Sequence, residues 1–394
     1  MSTAVRSRDA SLRRMMNGDV PPWRPGGKTP MPGWIFWKRD NVGKRMMCGA
    51  SSPAGRWGRM AASAGAVFIL WPAAQGIAQD QTAAETYKQP NAITFQVEND
   101  LFGGGSDRHY TQGMRLSWLP SPDDVPYWAR KGATLVPGID TSDRFTFVFS
   151  LGQNMYTPED ITTRTPDPTD RPYAGWLYAS IGAVAEDSER DILHNLALDV
   201  GVVGPLSLAG ETQSFWHDLI GAREPRGWDH QLKNEPGVVL TYSASWRDAL
   251  VYSPGFLEVD VTPRAGVALG NVFTHAAVGA SLRVGQNLHI DYGPPYIRPN
   301  LPGGGLVRSR NEMGWYLFAG VEGRAVARNI FLDGNTFADS ASVDKRPFIG
   351  DLQFGATLTY HRYRLSFTQI LRTEEFYGQR GGDHYGSIAL TYLF

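Results

Sequence analysis

The chain has 394 residues, of which 44 are glycine, 12% aromatic and 20% charged, and it carries a single cysteine, Cys48. One cysteine excludes an internal disulfide, and the length admits two soluble domains or one large β-structure. The formal charge of −1 conceals an asymmetry: residues 1–59 hold twelve Lys/Arg against three Asp, which leaves a net of about −10 downstream and argues against nucleic-acid binding by the body.

Residues 1–55 are rich in Pro, Gly and Arg and show no period. The basic leader 1–59 therefore reads as a disordered segment or an over-extended gene start. Arg56 and Arg59 then precede an apolar run, 60–71, and small-residue sequence ending at Ala78. That order is the pattern of a secretory signal peptide over 60–78. The apolar run falls short of the roughly 20 residues a membrane-spanning helix needs. The mature body is expected to be 79–394.

The body opens on FQVENDLFGGGSDRHYTQGMRLSW (95–118). Phe95 and Val97 alternate with Gln96 and Glu98. Beyond Gly103–Gly104–Gly105, the residues Tyr110, Met114, Leu116 and Trp118 alternate with Thr111, Gly113, Arg115 and Ser117. The pattern predicts a hairpin. Pairing would bring Asn99 and Asp100 to the same rim as Thr111. An amide, a carboxylate and a hydroxyl there suit a hard cation such as calcium, although the same residue types are also ordinary turn formers. By strand parity, Asn99 and Asp100 point to opposite faces unless the strand end is bulged or frayed.

Residues 121–143 read as a Pro- and Asp-rich loop, followed by a strand from Phe145 to Leu151. The polar run TPEDITTRTPDPTDRP (157–172) is a long loop. Strands resume in YAGWLYASIGAVA and again at Leu196–Val202. GETQSFWHDLIG (210–221) breaks the pattern: Phe215, Trp216, Leu219 and Ile220 have helical spacing, and Gly221 is a stop. Further strands follow at Val238–Trp246, near 257–270, 273–285, 312–327 and 347–360, and finally around Tyr363–Gln369 and Ile388–Phe394. A Pro/Gly loop occupies 286–311.

The count is about twelve strands of roughly ten residues, each with one apolar face and one small or polar face. The chain ends on Phe394, in phase with Tyr392 and Leu390. The expected fold is all-β: an antiparallel transmembrane β-barrel of about twelve strands, with a short helix in an extracellular loop, located in the bacterial outer membrane. Only a closed barrel satisfies every strand's backbone groups within lipid. A secreted β-sandwich is the competing architecture.

Chemistry centres on the helix. Gln213 and His217 are four apart and share a face. A histidine can take a proton from water while a cation faces the oxygen that becomes negative, so an ester could be cleaved without a covalent intermediate. The chain lacks a GxSxG elbow. His109 is a weaker candidate. The segments DRPYAGWLY (170–178) and WDHQLKNE (228–235) read first as structural.

Several stretches together resemble the outer-membrane lipid A 3′-O-deacylase family: VENDLFGGGSDRHYTQG, MYTPEDI…DRPYAGWLY, GVVGP…ETQSFWHDLIGA and GWDHQLKNEPG. The resemblance runs from about residue 92 to the C-terminus. It implies a calcium-dependent esterase that removes the 3′-linked acyloxyacyl group of lipid A in the outer membrane. Carried over by position, His217 is the general base, Asp100 the calcium ligand, and Asn99, Thr111 and Gln213 position metal or substrate. The family has a functional Lys where this chain has Thr163; the neighbouring Arg164 is the substitute expected to contact substrate, though Arg and Lys differ as ligands. The implied partners are lipopolysaccharide and outer-membrane lipid, with the barrel as a monomer. Two other readings stay open: a non-enzymatic barrel, either pore or structural protein, and a calcium-dependent outer-membrane phospholipase.

Overall fold

The computed structural model describes residues 90–102, 108–133, 144–187, 190–247, 249–253, 255–294, 297 and 313–394. The leader, the signal segment, Cys48 and Gly103–Gly104–Gly105 lie outside them.

Twelve long antiparallel strands close into a barrel. In chain order they are β1 (Ala92–Asn99), β2 (His109–Leu119), β3 (Arg144–Thr157), β4 (Ala174–Asp187), β5 (Ile192–Val203), β6 (Glu235–Trp246), β8 (Glu258–Gly270), β9 (Phe273–Gln286), β10 (Gly314–Asn329), β11 (Phe348–Tyr360), β12 (Tyr363–Arg372) and β13 (Asp383–Leu393). Each pairs with its sequence neighbour, β1 pairs β13, and β6 pairs β8 to complete the ring. A short extra strand, β7 (Leu250–Tyr252), continues the β8 edge where β6 has ended. Being even in number, the twelve strands put Ala92 and Leu393 at one end, called here the terminal end.

Alternation decides which side chain sees which medium. Leu116, Leu151, Leu317, Leu352, Phe367 and Leu390 are exposed on the outer wall. Gln96, Arg264, Arg283, Arg324, Asp351 and Arg372 are buried inside. Closure thus gives an apolar belt outside and a charged interior. Among the described residues the interior is filled. Arg283 Nε bonds Asp260 Oδ1 at 2.9 Å, its NH1 reaches Asp291 Oδ1 at 2.8 Å, and Arg364 meets Asp291 Oδ2 at 2.6 Å. Arg372 bridges Asp351 at 2.9 Å and Tyr385 at 2.6 Å. Asp291 belongs to the segment after β9, which turns up into the lumen. There the Tyr292 hydroxyl donates to Glu186 at 2.8 Å, and the backbone N–H of Ile297 reaches Glu98 at 3.1 Å.

Among the described residues three short α-helices interrupt the strands: α1 (Tyr127–Ala133), α2 (Ala209–Ile220) and α3 (Ile330–Asp333). Helix α2 matches the sequence expectation to within a residue. Helix α1 falls in the stretch read as loop; its apolar Tyr127 and Trp128 are exposed and too few to give a period. Strand β7 and helix α3 span three and four residues, too short for periodicity to register.

One facing assignment needs correction. The register of β2 against β3 runs Tyr110↔Tyr156 and then Gln112↔Met155, with Thr111 as the extra residue of a β-bulge. Tyr110 therefore points inward, where its hydroxyl donates to Glu98 at 2.9 Å, and does not share the outer face of Met114.

Candidate active site

Helix α2 leans on the outside of the barrel at the end opposite the termini. Its buried residues are Ala209, Gln213 and His217, spaced four apart on one face. Gly175 of β4 makes the approach possible: a Cβ there would run into the side chains of Ser207 and Ala209. The Gln153 amide, on the outer face of β3, donates to the Ser207 carbonyl at 2.6 Å. Met155, Ile161, Tyr173, Ala209 and Trp228 form a small apolar core beneath the helix.

The loop's return leg clasps the helix in place. The Trp228 indole N–H donates to Gln213 Oε1 at 2.7 Å. The Leu232 N–H reaches the Tyr173 carbonyl at 2.9 Å, and Asn234 Oδ1 accepts from the Leu206 N–H at 2.8 Å. At the helix end, Gly221 adopts φ 69°, a left-handed turn that glycine takes without strain. The chain then doubles back, so that the Arg223 carbonyl meets His217 Nδ1. A carbonyl only accepts, so Nδ1 carries the proton and Nε2 bears the lone pair, the form a general base requires.

Between α2 and the wall of β13, β1 and β2 lies a groove of about 400 Å³. Asn99, Asp100, Thr111 and His217 all line it, together with Gln112, Trp216 and Ile220. Lower down the wall the lining is apolar: Val97, Met114 and Ile388, then Phe95 and Leu390. Asn99 and Asp100 reach the same groove because β1 stops at Asn99 and the chain coils into a 3-10 turn, Asp100–Phe102. The Asn99 Oδ1 accepts from the Leu101 N–H at 2.8 Å, and Asp100 Oδ2 from the Arg108 N–H at 2.7 Å. Asp100 is 3% exposed. The bulge turns Thr111 outward, where its hydroxyl bonds that of Thr157 at 2.7 Å.

Two expected site residues lie elsewhere. Gln213 is buried against Trp228 and does not line the groove. Arg164 sits exposed in the loop between β3 and β4, outside it. His109 faces away from the groove into a polar pocket lined by Glu159, Asp160, Asp167 and Asp170. Its ring bonds Asp383 at 2.6 Å and approaches Asp170 at 3.5 Å. Gln112, by contrast, carries no chemical signal of its own; pairing opposite Asn99 and in phase with Met114 puts it in the groove.

Among the described residues no group of three His, Cys, Asp or Glu side chains forms a metal cluster. The oxygen donors at the groove head are one carboxylate, Asp100, two carboxamides, Asn99 and Gln112, and one hydroxyl, Thr111. All are hard oxygens, a set that suits calcium better than a thiophilic metal.

Over residues 63–394 the sequence matches the LpxR outer membrane protein family. The chain belongs to that family. It is therefore a protein of the bacterial outer membrane, in keeping with its apolar belt. Among solved structures, LpxR from Salmonella typhimurium is similar with a TM-score of 0.63 at 22% identity, covering 77% of this chain and 100% of that one. The β-domain of the Bordetella autotransporter BrkA matches at 0.37 and 11% identity, over 78% and 100% of the two chains. The translocator domain of NalP from Neisseria meningitidis matches at 0.33 and 12%, over 78% and 89%. No curated protein sequence matches the chain.

Proposed function

We propose that this LpxR-family barrel is a calcium-dependent ester hydrolase that removes the 3′-linked acyloxyacyl group of lipid A. The observation that carries the reading is the meeting of the α2 imidazole with the Asn99–Asp100–Thr111 cluster in one groove whose lower wall is apolar. The chemistry sits at the top and room for an acyl chain lies below.

The helix supports a site at the membrane surface. Leu208, Phe215 and Leu219 form an exposed apolar stripe, while Glu211, Ser214 and Asp218 lie on another face. A helix with this division lies in the lipid interface. The groove then opens sideways to lipid, and an acylated glycolipid enters without leaving the leaflet. We place this end of the barrel on the outer face.

In the hydrolysis, His217 Nε2 takes a proton from water as the water oxygen attacks the ester carbonyl. The Arg223 carbonyl keeps the ring in the competent tautomer. Asp100, with Asn99 and Thr111, would hold a calcium ion, which supplies positive charge opposite the developing oxyanion. Gln213 acts through Trp228 as a positioning residue for the helix. Arg164, exposed at the surface, is assigned to substrate phosphate beyond the groove. The filled lumen disfavours a pore, and the absence of a serine elbow disfavours a serine phospholipase. The test is release of the acyloxyacyl chain as its free acid from purified lipid A by the refolded barrel, present with calcium and abolished by chelator. No release in calcium would sink the reading.

A further inference from the structure

We propose that Gln112 is a further catalytic residue, whose side-chain N–H groups hold the carbonyl oxygen of the scissile ester. The inference rests on the ester-hydrolase reading above and assigns its oxyanion contact.

Gln112 is 6% exposed and lines the groove. Its carboxamide stands at the groove head beside Asn99, Asp100, Thr111 and His217. The polar groups beside it are engaged: Asn99 Oδ1 by the Leu101 N–H, Asp100 Oδ2 by the Arg108 N–H, Thr111 by Thr157, and His217 Nδ1 by the Arg223 carbonyl. A ligand that brings an acceptor into the groove gives the Gln112 N–H groups a partner.

Register shows what kind of ligand. Gln112 stands directly opposite Asn99, so their Cβ atoms are roughly 5 Å apart on one face. The next outward-facing row of the wall is Met114, Val97 and Ile388; the row below it holds Phe95 opposite Leu390. One polar row thus stands above two apolar rows. From Asn99 to Phe95 the strand advances about 14 Å. Carbon–carbon bonds at tetrahedral angles advance roughly 1.25 Å each, so the apolar track spans roughly eleven methylenes. An acyl chain lying on it brings its carbonyl to the level of Gln112. A carbonyl oxygen needs donors, and the carboxamide has two.

The step balances as follows. The water oxygen bonds to the carbonyl carbon while its proton passes to His217 Nε2. The carbonyl π pair moves onto the oxygen facing the Gln112 N–H groups. That pair then returns, the bond from carbon to the sugar oxygen breaks, and the sugar oxygen takes the proton from His217. The products are a carboxylic acid and a free sugar hydroxyl.

The experiment uses the refolded barrel in detergent with purified lipid A and calcium, and measures kcat, KM and the calcium midpoint. Gln112→Met keeps the length and removes the donors; Gln112→Glu keeps an oxygen and removes the N–H groups; Gln112→Ala replaces the Met variant if that one misfolds. The expected result is a fall in kcat of about 100-fold in the donor-free variants, with KM and the Gln112→Met calcium midpoint little changed. Activity within about threefold of wild type overturns the proposal, since a lost oxyanion donor costs far more. So does a rise in KM alone, or a Gln112→Glu variant that binds calcium more tightly and stays active, which would make Gln112 a metal ligand. If wild type itself releases no acyl chain, the parent reading falls and this one with it; the silent control tells that case apart.

Discussion

The indole N–H of Trp228 donates to Gln213 Oε1 over 2.7 Å, and this bond sets which face of α2 meets the barrel. Gln213 is one helical turn before His217, so holding one aims the other. Trp228→Phe keeps the ring and removes the donor, leaving a buried carboxamide oxygen that costs about 1–3 kcal/mol. The expected outcome is a roughly tenfold or larger loss of lipid A hydrolysis, since 1.4 kcal/mol corresponds to a factor of ten. The barrel itself should keep its heat-modifiable gel mobility. Unchanged turnover would show that the helix is held without this bond.

The bulge at Thr111 is a local device that the barrel does not need. Deleting Thr111 lets β2 pair with β3 in unbroken register, with Tyr110 still inward and Gln112 still outward. The expected variant folds with thermal stability no lower than wild type and hydrolyses no lipid A. A variant that stays active would remove Thr111 and the bulge from the site.

Arg171 is fully buried, bonds Glu375 at 3.0 Å and stacks over Tyr156 at 5.1 Å. Burial pushes the Glu375 carboxyl up, but Arg171, then Arg372 and Arg324, outweigh it and hold the group below the usual range. Removing one partner of a buried pair typically costs about 3–5 kcal/mol. Arg171→Met is expected to lower the unfolding temperature of the purified barrel markedly, whereas Arg164→Ala, at an exposed position, should not move it. Equal melting of Arg171→Met and wild type would contradict this structural assignment.

The loop between β3 and β4 should loosen in acid. Burial raises the Asp170 carboxyl, but the His109 ring and the N–H groups of Glu159 and Arg171 outweigh that and hold it below its ordinary value. A carboxyl depressed in the fold contributes stability that is complete above its unfolded value of about 3.9 and is lost as pH falls through the folded value. Hydrogen exchange in 158–170 should therefore be slow at pH 5 and speed up below pH 4. Asp170→Asn should exchange fast at both. Exchange independent of pH in wild type, after correction for the intrinsic rate, would refute the linkage.

Much of this was legible in the chain because the barrel repeats one simple rule. Period-2 alternation marked the long strands, and the helical spacing of Phe215, Trp216, Leu219 and Ile220 marked the longest helix that interrupts them among the described residues. The arrival of Asn99, Asp100 and Thr111 at one rim followed from hairpin pairing, but their sharing of one face did not. The parts that did not show depend on single-residue departures from period. The bulge flips Tyr110 inward and turns Thr111 out to the groove, and no composition signal announces a bulge. The 3-10 turn that lets adjacent Asn99 and Asp100 share a face is three residues long. The filling of the lumen by Asp291 and Tyr292 is a long-range event that a Pro/Gly-rich stretch does not disclose.

The most direct test is the mass spectrum of lipid A from an outer membrane that receives either the wild-type protein or His217→Ala, with calcium present. The account predicts that wild type removes the 3′-linked acyloxyacyl mass, and that His217→Ala leaves the spectrum of untreated lipid A although it folds and inserts equally. An unchanged spectrum with folded wild type, or the same loss with both proteins, would contradict it.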